Sequence, residues 1–208
     1  IQENAYRIEF GKIPERPVRS ALGINYGTDG PEDRPLSDRC LVGFNAGPPV
    51  NPSFYNNNLQ IIQNKDHVVI ITEMVHDARI VPMDNRPHAP EEIGLWSGDS
   101  RGYWDGDSLV VETRNFNGLT NSFSAIGSSE NKHLTEKFTR VSEDRVDYEF
   151  TVDDPSTFTD KIVGLIPIYK VAGQVYEYAC HEGNYGMVNI LRGARVAEER
   201  GDSPIAPN

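Results

Sequence analysis

Hydrophobic and polar positions alternate along the chain from Leu59 onward, and this alternation predicts a series of short β-strands. The strands come in pairs that flank short polar turns, as in antiparallel hairpins. Asp105-Gly106 is the clearest turn, because this dipeptide suits the backbone of a two-residue hairpin loop. The predicted strands are 59–63, 67–73, 79–83, 102–104, 108–114, 133–141, 145–152, 158–169 and 175–178.

Eight to nine sequential strands with almost no helix between them predict a mainly β protein. We expect one antiparallel up-and-down meander that forms a closed or nearly closed barrel, as in lipocalins. A sandwich of two sheets is the alternative. A barrel of about eight strands leaves room for one small ligand. Helical spacing of Met187, Ile190 and Leu191 predicts a single helix near the C-terminus.

The first part of the chain has a different composition. Residues 1–58 are rich in Pro, Gly, Asn and Asp, which form turns and interrupt helices. We expect this part to be an irregular N-terminal extension that packs on a barrel domain of residues 59–208, the two forming one folding unit. Because the chain begins at Ile1 without an initiator Met or a signal peptide, we expect a processed or truncated product.

Charge and hydropathy limit the class of partner. The 208 residues include 31 acidic and 20 basic side chains, for a formal net charge of −11. Nucleic acids and anionic membrane surfaces require a basic footprint, so we predict neither as a partner. No apolar run approaches the roughly 18 residues of a membrane helix, so we predict no membrane insertion. A small organic molecule is the expected partner, and a homo-oligomer is left open.

The most apolar stretch of the chain, residues 67–82, carries the first group of candidate site residues. Glu73, His76, Asp77 and Arg79 lie within it, and buried charges are costly unless they are paired. A bulge near the centre would bring His76 beside the carboxylates. We predict that His76 and Asp77 are catalytic acid–base residues and that Glu73 and Arg79 bind substrate. The alternative is a structural ion network with His76 at a bend.

A second group follows the last predicted strand. We predict that His181 and Glu182 are catalytic and that Asn184 and Tyr185 bind substrate, because all four can exchange protons or form hydrogen bonds. Asn184 also fits the N-cap of the predicted helix, which would be an architectural role.

A third group flanks the Asp105-Gly106 turn. Trp104 could stack on a ligand and Arg101 could bind it, although such a tryptophan also fills barrel ends and Arg101 also fits a local pair with Asp99. The polar run 55–58 could bind a ligand at the mouth of the barrel or simply form a turn. The histidines lack metal-ligand spacing, so we predict neither a metal nor a cofactor.

Several motifs together resemble a large group of exported bacterial proteins without an assigned activity. The resemblance spans about residues 31–195 and includes Glu-Met-Val-His-Asp-Ala-Arg at 73–79 and Tyr-Ala-Cys-His-Glu-Gly-Asn-Tyr at 178–185. It implies a periplasmic or secreted location and a missing upstream segment. In an oxidising compartment, a disulfide between Cys40 and Cys180 becomes plausible.

Three functions are consistent with the sequence. The first is an exported lyase, isomerase or hydrolase that uses His/carboxylate acid–base chemistry on a small molecule in a polar barrel cavity. The second is a non-catalytic barrel that binds a small apolar or aromatic ligand. The third is a structural role, in which the polar residues form only an ion network.

Overall fold

Two antiparallel sheets and one C-terminal helix make up the fold of the computed structural model, which describes residues 28–43, 45–117 and 130–202. The predicted N-terminal extension therefore lies partly outside the described residues. The elements are β1 Leu59–Gln63, β2 His67–Thr72, β3 Ala78–Pro82, β4 Asp99–Asp105, β5 Ser108–Arg114, β6 His133–Arg140, β7 Arg145–Asp153, β8 Ile162–Tyr169 and α1 Tyr185–Glu199.

Each sheet is a meander of sequential strands, with order β1-β2-β3 in one and β4-β5-β6-β7-β8 in the other. The mainly β, antiparallel prediction is confirmed. Neither sheet closes on itself, so the predicted barrel is not confirmed. The prediction of a strand at 175–178 is wrong. That segment is held instead by the Cys40–Cys180 disulfide that follows it and by a contact of the Tyr178 carbonyl with His76.

The inner faces of the two sheets share one hydrophobic core. Val68 and Val81 from the three-stranded sheet belong to the same buried cluster as Val111 and Leu134 from the five-stranded sheet. The sheets meet where β3 approaches β4. A Cβ on Gly102 would lie 2.5 Å from the sulfur of Met83 and 2.8 Å from a methyl group of Val81, so a larger residue there would require these side chains to shift.

The chain bends sharply between β2 and β3, which is the alternative that the sequence offered for the segment around His76. Met74–His76 forms a single 3-10 turn, and Val75 and His76 have positive φ angles of 59° and 48°. The disulfide between Cys40 and Cys180 packs against this turn in a second small core that includes Met74 and Val75. The disulfide prediction is thus confirmed, and the bridge joins the irregular 28–58 segment to the end of the sheet domain.

The predicted C-terminal helix is confirmed as α1. Asn184 is its N-cap, and its Oδ1 accepts a hydrogen bond from the Met187 N–H at 3.2 Å. The Asn184 amide also donates to the Asp38 carbonyl at 2.7 Å, which fixes the start of the helix near the disulfide. Within the described ranges, no helix has the length and apolar character needed to cross a membrane.

Candidate functional site

A buried ion pair lies in the middle of the shared core. The Arg79 guanidinium donates two hydrogen bonds to the Glu136 carboxylate, at 2.5 and 2.9 Å, and Glu136 is completely buried. The Tyr148 hydroxyl donates to Glu136 Oε1 at 2.7 Å and accepts from the Val50 N–H at 3.0 Å. Three hydrogen bonds from inside the protein, two of them from the Arg79 cation, therefore stabilise the buried carboxylate.

Burial and the Glu136 charge set the ionisation of this network. Burial would lower the pKa of Arg79, but the adjacent Glu136 carboxylate outweighs it and raises the pKa. Burial, together with the Glu136 charge, raises the pKa of Tyr148 well above its ordinary value. Arg79 thus stays protonated beside Glu136, and Tyr148 stays a neutral donor.

A second buried cation lies close to the ion pair. Lys132 is 2% exposed, and its ammonium group lies 3.9 Å from the centre of the Phe116 ring. Burial lowers its pKa to about 8, even though the charges of Asp154 and Glu136 act in the opposite direction. Its hydrogen bond to the Pro48 carbonyl, at 3.4 Å, links it to the irregular segment before β1.

The role predicted for Arg79 as a substrate ligand stays a prediction, but its guanidinium is already bound to Glu136. Sequence reasoning did not include Glu136 among the site residues. The signal was present in the sequence. Glu136 lies between Leu134 and Phe138 on the same face of β6, and this face points into the core.

Glu73, His76 and Asp77 lie at the bend between β2 and β3. Their hydrogen-bond partners differ from those of Arg79 and Glu136. His76 Nδ1 lies 3.0 Å from the Tyr178 carbonyl oxygen. Asp77 accepts a long hydrogen bond of 3.5 Å from the Gly43 N–H, and Glu73 accepts from the Asn58 side chain at 2.9 Å.

The environment of Asp77 shifts its ionisation. Burial raises the pKa of its carboxyl, while the Gly43 N–H and the nearby His76 partly oppose the rise. His76 and Asp77 thus interact electrostatically at the bend, and their acid–base role stays a prediction.

The predicted residues of the 181–185 motif have different surroundings. His181, Glu182 and Tyr185 are exposed, and Tyr185 retains 75% of its accessible surface. Asn184 is committed to the helix cap and to Asp38. The catalytic and binding roles of these four residues remain predictions, and only the architectural role of Asn184 is visible in the fold.

Arg101 forms the local pair that the sequence offered as its alternative role. Its guanidinium lies 2.6 Å from Asp99 Oδ1 and also donates to the Pro87 carbonyl at 2.8 Å. Burial raises the pKa of Asp99, but the Ala89 N–H, Arg101 and His88 outweigh it, so the pKa lies below its ordinary value. This cluster fastens the 84–90 loop to β4.

Trp104 is the predicted binding residue that lines an open cavity. Trp104 pairs with Leu109 in the β4–β5 register and lies at the end of the inner face of the five-stranded sheet. Its side chain is 54% exposed. The cavity beside it has a volume of about 340 Å³. We call it the Trp104 pocket, and its lining residues are Gln63, Asn64, Lys65, Val68, Met83, Asn85, Tyr103 and Trp104.

A second cavity lies between β1 and β8, where a closed barrel would need these two strands to pair. We call it the seam cleft, and its volume is about 200 Å³. Leu59 of β1 and Ile166 and Ile168 of β8 form its apolar side, and Tyr148 also lines it. The polar side comes from the irregular segment and consists of Asn45, Asn51, Asn56, Asn57 and Asn58.

The described ranges contain no group of three or more His, Cys, Asp or Glu side chains arranged to hold a metal ion. Comparisons of the chain with protein-family models, with curated proteins and with solved structures found no match.

Proposed function

We propose that the protein is a non-catalytic binding protein for a small planar aromatic molecule, held in the Trp104 pocket. The observation that carries this proposal is the half-exposed Trp104 ring beside a cavity of about 340 Å³. That volume falls in the range of roughly 300–1,000 Å³ that small-molecule sites usually have. Val68 and Met83 supply apolar surface, while Trp104 and Tyr103 supply rings for stacking.

The chemistry of the lining favours binding over reaction. Among the described residues, no His, Asp, Glu, Ser or Cys lines the pocket, so Lys65 and Tyr103 are its only groups of an acid–base or nucleophilic type. Lys65 is the only charged residue of the lining within the part of the chain that the structure describes, and the lining also includes three side-chain amides. A neutral or singly anionic aromatic ligand fits this arrangement best.

The acid–base enzyme remains the less supported function. Its key groups are distributed over three places, since Arg79 is bound to Glu136, His76 contacts the Tyr178 carbonyl and His181 is exposed. An exported, periplasmic or secreted location is part of the proposal. The Cys40–Cys180 disulfide supports it because such bridges persist in oxidising compartments.

The test is a calorimetric titration of the protein with naphthoate and with its neutral analogue naphthol. We expect saturable binding that Trp104→Ala weakens by about tenfold or more, since aromatic stacking and apolar contact are both lost. Trp96→Ala is the matched control, because Trp96 is similarly exposed but does not line the pocket. Lys65→Gln should weaken naphthoate more than naphthol. Equal binding by the Trp104 and Trp96 variants would overturn the proposal.

A further inference from the structure

Strand β8 is apolar on both faces and contains no charged residue. Its inner row packs on the core through Ile162, Ile166 and Ile168. Its outer row is open to solvent, with Val163 and Leu165 64% and 58% exposed. Strands with apolar residues on both faces usually lie in the middle of covered sheets, so this composition is unexpected for an exposed strand.

The strand is also an edge of the five-stranded sheet. Its backbone hydrogen bonds go to β7, and no other described residue exchanges a backbone hydrogen bond with it. Natural sheets protect such edges with charges, prolines or bulges. The opposite edge, β4, has charged Asp99, Arg101 and Asp105. In β8, Pro167 is the only residue of a protecting type, and it removes one backbone donor.

The seam cleft lies along the inner side of this edge. Ile166 and Ile168 line it from β8, and Leu59 lines it from β1, the edge strand of the other sheet. Asn51 and Asn58 of the irregular segment also line it. No charged side chain of residues 28–43, 45–117 or 130–202 lines the cleft, although the chain has a net charge of −11. The cleft therefore suits a neutral ligand with amide groups and apolar side chains.

We propose that the free edge of β8 and the seam cleft form a binding site for an extended, uncharged peptide segment of another protein. The peptide backbone pairs with β8 and extends the five-stranded sheet by one strand. Alternate side chains of the peptide enter the seam cleft and contact Ile166 and Ile168. Because Pro167 lacks a backbone N–H, the pairing is limited to a short stretch of β8. The strand can then bind one peptide without promoting aggregation through its edge. The site is independent of the Trp104 pocket.

The experiment is selection from a phage-displayed library of random peptides built without Asp, Glu, Lys and Arg, followed by titration of the enriched peptides. Leu165→Lys places a charge on the edge strand without disturbing the core, and we expect it to weaken binding by about tenfold or more. Thr135→Lys is the control, because it adds the same charge to an exposed position of the central strand β6. It should leave the affinity unchanged.

Two further measurements distinguish strand pairing from binding through side chains alone. Alternate amides of an enriched peptide can be N-methylated in two sets, which point to opposite edges of the bound strand. Methylating the set that faces β8 should weaken binding by about tenfold or more, because it deletes the backbone donors, whereas methylating the other set should not. Hydrogen exchange should slow in β8 when the peptide binds.

Three outcomes would overturn the proposal. It is wrong if no peptide is enriched, or if exchange slows at Gln63–Lys65 instead of β8. It is also wrong if the free protein is a dimer that Leu165→Lys dissociates, because a second copy would then cover the edge. Trp104→Ala should not change peptide binding, so this proposal and the small-molecule proposal can fail separately.

Discussion

Replacing Arg79 by methionine tests whether the buried ion pair is structural. The substitution preserves much of the apolar volume but leaves the fully buried Glu136 carboxylate without its cationic partner. Removing one member of a buried pair typically costs about 3–5 kcal/mol, because the remaining charge stays desolvated. We therefore expect Arg79→Met to lower the free energy of unfolding by that amount.

Urea unfolding monitored by circular dichroism measures this loss directly. Adding Glu136→Gln to Arg79→Met should restore part of the stability, because it removes the buried charge and its side-chain oxygen still accepts from Tyr148. Arg86→Met is the surface control. Arg86 pairs with Asp84 in an exposed salt bridge, so this variant should be as stable as the wild type.

Two results would contradict a structural role for the pair. An Arg79→Met variant as stable as Arg86→Met would show that the buried pair does not support the fold. The second result is additivity. If Glu136→Gln lowers the free energy of unfolding by the same amount in Arg79→Met as in the wild type, the two residues do not interact.

Three other perturbations test the remaining parts of the fold. Replacing both Cys40 and Cys180 by alanine should cost up to about 5 kcal/mol by chain entropy for a separation of 140 residues, measured by thermal and urea unfolding; an unchanged stability would contradict this. Lys132 titrates near pH 8 when folded and near 10.5 when unfolded, so its protonated form destabilises the fold below pH 8. Between pH 7 and 10 the free energy of unfolding of the wild type should therefore rise by up to about 3 kcal/mol relative to that of Lys132→Met. A difference that stays constant with pH would mean that Lys132 is not buried as a cation. Asn184→Ala should cost about 1 kcal/mol or more in urea unfolding, because it removes the helix cap and the donor to the Asp38 carbonyl; an unchanged stability would argue against the cap.

The hairpins could be predicted because their signals are local. The predicted bounds of β1 and β5 agree with the structure, since polar turns separate clear runs of alternating residues. Strand β4 begins earlier than predicted, at Asp99, because its outer row is polar and does not resemble a strand. Strand β8 begins later, at Ile162, because Asp154 binds the Ser156 and Thr157 hydroxyls and holds a turn after β7.

Long-range arrangements were less accessible to sequence reasoning. Closure into a barrel requires β1 and β8 to pair, but side chains of the 45–58 segment line the cleft between them. The Arg79–Glu136 pair joins residues 57 positions apart, and no local pattern indicates which carboxylate the arginine will meet. The Cys40–Cys180 bridge was predictable because only two cysteines exist and the resemblance implied an oxidising compartment.

Part of the Trp104 pocket was accessible to sequence reasoning. Trp104 was singled out because it flanks the Asp105-Gly106 turn, and it lines the pocket, while its binding role stays a prediction. Lys65 and Asn85 were missed, because they come from turns whose relative placement depends on how β3 approaches β4. A turn residue has no periodicity that would show which side of the sheet it will reach.

Locating naphthoate on the protein by amide NMR tests the proposed binding function most directly. A binding site at the Trp104 pocket predicts saturable shifts confined to Gln63–Lys65, Asn85 and Tyr103–Trp104, and their loss in Trp104→Ala but not in Trp96→Ala. The proposed function is contradicted if the shifts are absent, or if they lie around His76 and His181 instead.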